Sequence, residues 1–197
     1  MPKIKNRKKL VRRATDHYKA DHIKRDKGYL QVNGGFQGCA IGCLVSPVTH
    51  TGVKRDPYLK RFWDKANDKF GGFYYNDETD EEDQDIICKI MKKEFGLAPS
   101  LTLLAEQVFE DRDYVTDEEA YTWPMDFAKA LPPEGTNITD KQVQKFVIEN
   151  GGLVDAPWDY QKYSRIVFLV PDSRQKVLDW LGEISEKTKK KNKKKEK

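Results

Sequence analysis

Two four-residue signatures constrain this fold most. Thr116-Asp117-Glu118-Glu119 and Thr139-Asp140-Lys141-Gln142 each place a threonine three positions before a Glu or Gln. That spacing is a capping box, in which two side chains satisfy N–H groups that a helix start leaves without partners. Each opens a helix, the second ending at Gly151-Gly152. Trp123-Pro124 falls inside the first, so a kink or a fresh helix through Leu131 is expected there.

The rest of the chain is punctuated the same way. Residues 8–26 read as a charged helix with Leu10, Ala14, His17, Tyr18 and His22 along one side. Asp56-Pro57 starts a helix that Gly71-Gly72 stops. Seven acids in Asp77–Asp85 suit the positive end of the next helix, whose apolar stripe is Ile86, Ile87, Ile90 and Met91. An EF-hand loop counted from Asp77 would need Gly and Glu where Glu82 and Cys88 stand. Gly96 ends this helix, Pro99 blocks its continuation and Ser100 caps the following one, with Leu101, Leu104, Ala105 and Val108 inward. Val177, Leu178, Trp180 and Leu181 mark a last amphipathic helix. The expected fold is mainly α, a single helical domain over 14–186. A small β-element is expected at Tyr29–Val32 or Ile166–Val170.

Charge is segregated. Residues 1–13 carry seven basic residues and no acid, and residues 187–197 carry eight lysines and one acid. Removing both from the total of 36 basic and 32 acidic residues leaves 21 basic and 31 acidic in between. The expectation is a basic N-terminal arm, an acidic body and a disordered Lys-rich tail, since blocks of like charge usually stay unfolded. Nucleic acid is a candidate partner through 1–13 and 187–197, with steep salt dependence. No run of apolar residues is long enough to span a bilayer, so no membrane partner is expected. Three cysteines in no framework spacing, and no apolar stretch behind the basic start, predict a reducing, cytoplasmic setting.

Chemistry concentrates in Gly38-Cys39-Ala40-Ile41-Gly42-Cys43. Small residues let a backbone approach closely, and a thiolate is favoured at a helix start. Cys43 or Cys39 is the candidate nucleophile, with His50, His17 or His22 as base and Glu106 or Glu110 orienting it. Gln37, Gly38, Gly42, Trp123 and Phe127 are the candidate pocket residues. Glu106 and Glu110, four apart, fall opposite the Leu101/Leu104/Val108 stripe, where a solvated face is the simpler reading. The simpler reading of the cysteines is tight packing between helices. The spacing Cys39-x3-Cys43-x6-His50 matches no common zinc pattern, so no metal site is assigned, and no cofactor is named. Gln37 ahead of Cys43 is similar to the papain-like protease motif, whose glutamine donates to an oxyanion. Those enzymes carry their histidine far downstream, and here none follows His50.

The order of five elements resembles a set of short uncharacterised bacterial and phage proteins. They are Gly38–Cys43, His50, Glu94-Phe95-Gly96-Leu97-Ala98-Pro99, Leu103–Glu110 and Trp123–Phe127. The resemblance spans roughly 16–135 and marks 51–90 as a candidate insertion. It implies a shared site, with no activity attached. The expected function is that of a binding protein, for example an inhibitor of a host factor, with a host protein or a second copy as partner. The alternatives are a cysteine-dependent enzyme acting on a small metabolite or nucleotide, and a nucleic-acid-associated protein tethered by its basic ends.

Overall fold

The structure is a computed structural model, and it describes residues 3–25, 37–46, 80–156 and 162–195. Among these residues it is mainly helical, with seven helices and one two-stranded sheet. The order is α1 (Arg7–Lys19), α2 (Ala40–Val45), α3 (Asp80–Phe95), α4 (Pro99–Glu110), α5 (Asp117–Ala130), α6 (Asp140–Glu149), β1 (Leu153–Asp155), β2 (Arg165–Val167) and α7 (Ser173–Lys195). Among the described residues no helix is long and apolar enough to cross a membrane. The proposed elements at Tyr29–Val32 and from Asp56 to Phe70, and His50, lie outside the described residues.

Helix α4 is the centre. It meets α2, α3, α5, α6 and β2. Ten of its twelve residues are buried, Glu106 among them. A helix surrounded on all sides has no solvated face, which corrects the expectation for Glu106. Its start also differs from the sequence reading. Ala98 is the N-cap and Pro99 takes the first turn, where its missing N–H costs nothing. Ser100 does not cap: its N–H donates to Asp140 Oδ1 at 2.8 Å, a side chain supplied by α6.

Both capping boxes form as expected, Thr116 with Glu119 and Thr139 with Gln142. Pro124 does not break α5, which runs continuously through it. The lost backbone bond is tolerated because both flanks are anchored. The Trp123 indole donates to the Ala105 carbonyl at 2.7 Å, and Phe127 is fully buried beside it. Gly96 stands at φ +68, and a Cβ there would lie 1.9 Å from the Lys3 carbonyl oxygen. Glycine is required by conformation and by the backbone crossing it.

β1 pairs antiparallel with β2, Val154 opposite Ile166, and Ile166 is buried. Residues 80–90, inside the proposed insertion, belong to α3 and send Ile87, Cys88 and Ile90 into the core. α1 ends at Lys19, earlier than expected. Asp21 adopts φ 53, and the amide of His22 bonds back to the His17 carbonyl.

The basic run at 1–13 is not an arm. Lys5 N–H donates to the Phe95 carbonyl and Ile4 N–H to the Thr136 carbonyl. From residue 7 the run is helical, with Leu10 and Arg13 buried. Its side chains close the carbonyl ends of other helices. Asn6 Nδ2 donates to the Glu94 carbonyl of α3 at 2.8 Å. Arg7 donates to the Leu131 and Lys129 carbonyls that end α5. Arg13 donates to the Leu44 and Val45 carbonyls of α2 and forms a two-point pair with Glu94 at 2.9 and 3.0 Å. Each contact supplies a partner that a helix end lacks. The Lys-rich run continues α7 as helix through Lys195.

Candidate functional site

The cysteine segment is positioned by the turn after α1. Gly38 N–H donates to the His22 carbonyl at 2.9 Å and Lys24 N–H to the Gly38 carbonyl at 3.0 Å. Cys39 is the N-cap of α2, and its sulfur accepts from Gly42 N–H at 3.4 Å. All six residues of α2 are buried. A short apolar segment with no periodicity has thus become a helix sealed in the core.

That sealing decides the thiol chemistry. Cys39 is 3% exposed and Cys43 fully buried. Burial, then the Glu106 and Glu110 carboxylates, hold the Cys39 thiol well above its ordinary range, outweighing the Gly42 amide that favours the thiolate. Burial alone pushes Cys43 up. Its S–H points at the backbone carbonyls of Gly38, at 3.5 Å, and His22, at 3.9 Å. Both acceptors require the proton to stay on sulfur. Cys88, which the sequence reading left out, is also fully buried. Its thiol is raised by burial and then by Glu106, Asp85 and Asp140. Glu106 therefore acts on two thiols at once, and in the direction opposite to activation.

The histidines near the segment form a pair. His17 Nε2 lies 2.9 Å from the Ser46 carbonyl and its Nδ1 lies 3.1 Å from His22 Nδ1. A carbonyl only accepts, so His17 donates through Nε2–H and its Nδ1 is a lone pair. His22 then donates through Nδ1–H. Burial pushes the His17 pKa down to about 4, against the raising effect of the Ser46 carbonyl. Burial also lowers that of His22. Cys43 meets this pair through the His22 backbone carbonyl, at 3.9 Å.

Glu106 faces both Cys39 and Cys88; Glu110 and Cys43 add to it at Cys39, Asp85 and Asp140 at Cys88. Cys43 also lies under the His22 turn. Trp123 and Phe127 are fully buried in the core and line neither of two open clefts. Gln37 is half-buried, Gly38 and Gly42 are buried, and His50 lies outside the described residues. Among the described residues no group of three or more His, Cys, Asp or Glu is placed to hold a metal ion.

The open space is elsewhere. A cleft of about 720 Å³ runs between α6 and α7, over Phe146 and Trp180, with Lys145, Ile184, Lys187 and Lys191 along it. Phe146 and Trp180 stack at 4.6 Å and 20°. A second, of about 570 Å³, lies by Lys24, Arg25, Phe109, Asp117 and Tyr121. Neither is lined by any residue of the cysteine segment. The sequence signal for the first cleft was the Trp180 position within an amphipathic helix, read there only as core. Comparison with protein-family models, with curated proteins and with solved structures finds no match to this chain.

Proposed function

We propose that this chain is a binding protein that works through its surface, with the cysteine segment as part of its frame. The observation that carries this reading is the burial of Cys39 and Cys43 with their thiols pushed away from the thiolate. A nucleophile needs the opposite environment, electropositive and partly open. Both open clefts present mixed charges beside aromatic rings, a surface suited to recognition. Inhibition of a host factor is the form we favour, on the resemblance to short bacterial and phage proteins.

Thiol labelling of the native protein between pH 6 and 9 tests the reading. We expect no thiol to react within minutes in the folded chain and all three to react after unfolding. A thiol that reacts rapidly below the reference pKa of about 8.5 would replace this reading with the cysteine-dependent enzyme.

A further inference from the structure

The outer part of α7 is the most strongly charged surface described. Leu181 is the last fully buried position of the helix, and Ile184 is half-buried. Beyond it Lys187, Lys189, Lys190, Lys191 and Lys193 are all exposed. Glu183 and Glu186 pair with Lys187 at 3.2 Å and Lys189 at 2.8 Å. From 187 to 195 there are seven lysines and no acid. At about 100° per residue, Lys187 and Lys191 fall on one flank, Lys189 and Lys193 on the other, and Lys190 between them. The helix rises about 21 Å from Leu181 to Lys195; Lys187 and Lys191 line the cleft toward α6, and Lys189, Lys190 and Lys193 lie around the rest of the helix.

Three kinds of partner attract cations, and the residues separate them. Residues 185–195 contain no apolar side chain. A bilayer surface holds most helices through an apolar face, which is absent here, and an anionic bilayer, which attracts lysines alone, is told apart by vesicle binding. A protein interface needs a desolvated core of aromatic or aliphatic anchors and is depleted in lysine. A phosphate backbone needs cations alone, because the binding free energy comes from counterion release. A helix about 10–12 Å across fits the roughly 12 Å major groove of B-DNA, with Lys189, Lys190 and Lys193 facing into it and Lys187 and Lys191, exposed on the cleft side, toward the nearer strand. The deep, narrow major groove of A-form RNA does not admit it.

We infer that the end of α7, from Lys187 to Lys193, is a sequence-independent binding site for duplex DNA. The inference rests on the reading of the chain as a binding protein and names its partner. In the run at 1–13, Arg7 and Arg13 are committed to carbonyls within the fold, while Lys3, Lys5, Lys8, Lys9 and Arg12 are exposed.

The test is fluorescence anisotropy of a labelled 20-bp DNA duplex of arbitrary sequence with the full chain at increasing salt. Five engaged lysines predict a log–log slope of about −4.5, hence roughly a 500-fold loss of affinity between 50 and 200 mM salt. Lys190→Gln, Lys191→Gln and Lys193→Gln together should flatten the slope by about 2.7 while circular dichroism keeps the helix. No binding at 50 mM salt, or an unchanged slope in the triple variant, overturns the inference. So does poly-glutamate binding as tightly as DNA of equal charge, which would make the partner an acidic protein. Vesicles of anionic lipid binding as tightly as DNA of equal charge overturn it as well. An RNA duplex should bind more weakly, and equal binding contradicts groove docking. Thiol labelling reads the parent proposal separately. Inert thiols without DNA binding would sink only this inference, and reactive thiols would sink the parent reading whatever DNA does.

Discussion

Residues 1–13 and 187–197 each carry seven net positive charges, and they differ in that the first run sends two arginines into the fold. In the first run Arg7 and Arg13 reach the carbonyl ends of α5 and α2, and Lys9 joins Arg13 on Glu94 at 2.5 Å. In the second, every described lysine side chain is exposed and the pairs made are with neighbours on the same helix. The residue types explain part of the difference. The first run contains three arginines and the second contains none. A guanidinium offers five donors in a plane and can serve two carbonyls and a carboxylate together, whereas an ammonium is a mobile, strongly hydrated point charge. Arg25 repeats the pattern outside the run, donating to the Phe109, Asp111 and Val115 carbonyls past the end of α4. Equal net charge therefore says little about role, and the choice of Arg or Lys says more.

The largest effect should follow loss of Arg13. Arg13→Leu leaves two helix-end carbonyls without their donor and Glu94 with Lys9 alone, in a site where the arginine is only 8% exposed. Removing one member of such a pair costs about 3–5 kcal/mol, read as a fall in the urea midpoint. Retention of the wild-type midpoint would make the first run as dispensable as the second.

Acid should act next, through His17. Its folded pKa of about 4 lies below the ordinary 6.5, so the unfolded chain takes up the proton first. The stabilisation is complete above pH 6.5 and is lost as pH falls toward 4. The gap corresponds to about 3 kcal/mol. Urea midpoints at pH 7 and pH 4 should differ by that much more in the wild type than in His17→Gln. Equal differences would mean that the burial of His17 carries no pH dependence.

Gly96→Ala should come third. The new Cβ meets the Lys3 carbonyl at 1.9 Å and sits at positive φ. About 1–3 kcal/mol is expected, with the crossing segment at Lys3 displaced. A neutral result would show that this segment is not held against α3. Smallest of all, Lys190→Gln with Lys191→Gln should move stability by no more than about 0.5 kcal/mol, since neither side chain is buried.

Local signals were legible in the sequence because they are local. The Thr116 and Thr139 boxes and the Gly96 stop each depend on a few neighbouring residues, and all three stand where the spacing placed them. The mainly α class followed from them. What was not legible depends on residues distant in the chain. The α4 helix looks two-faced when its pattern is wound on a wheel, yet partners on every side bury Glu106. Ser100 looks like a cap, yet Asp140, forty residues away, supplies the bond. β1 is three residues long and gives too short an alternation to detect. The cysteine segment was legible as a short apolar run of small residues, with helix or strand undecided, and its backbone geometry makes it a buried helix start. The state of its thiols was not, because it depends on burial and on the Glu106 carboxylate, which comes from another helix.

The comparison between the two basic runs is tested most directly by urea unfolding of two variants that each lose two cations. One carries Arg7→Gln and Arg13→Gln, the other Lys190→Gln and Lys191→Gln. The structure predicts a midpoint lowered by several kcal/mol of stability in the first, by analogy with other buried pairs, and an unchanged midpoint in the second. Equal midpoints would contradict the assignment of the first run to the frame of the fold and the second to its surface.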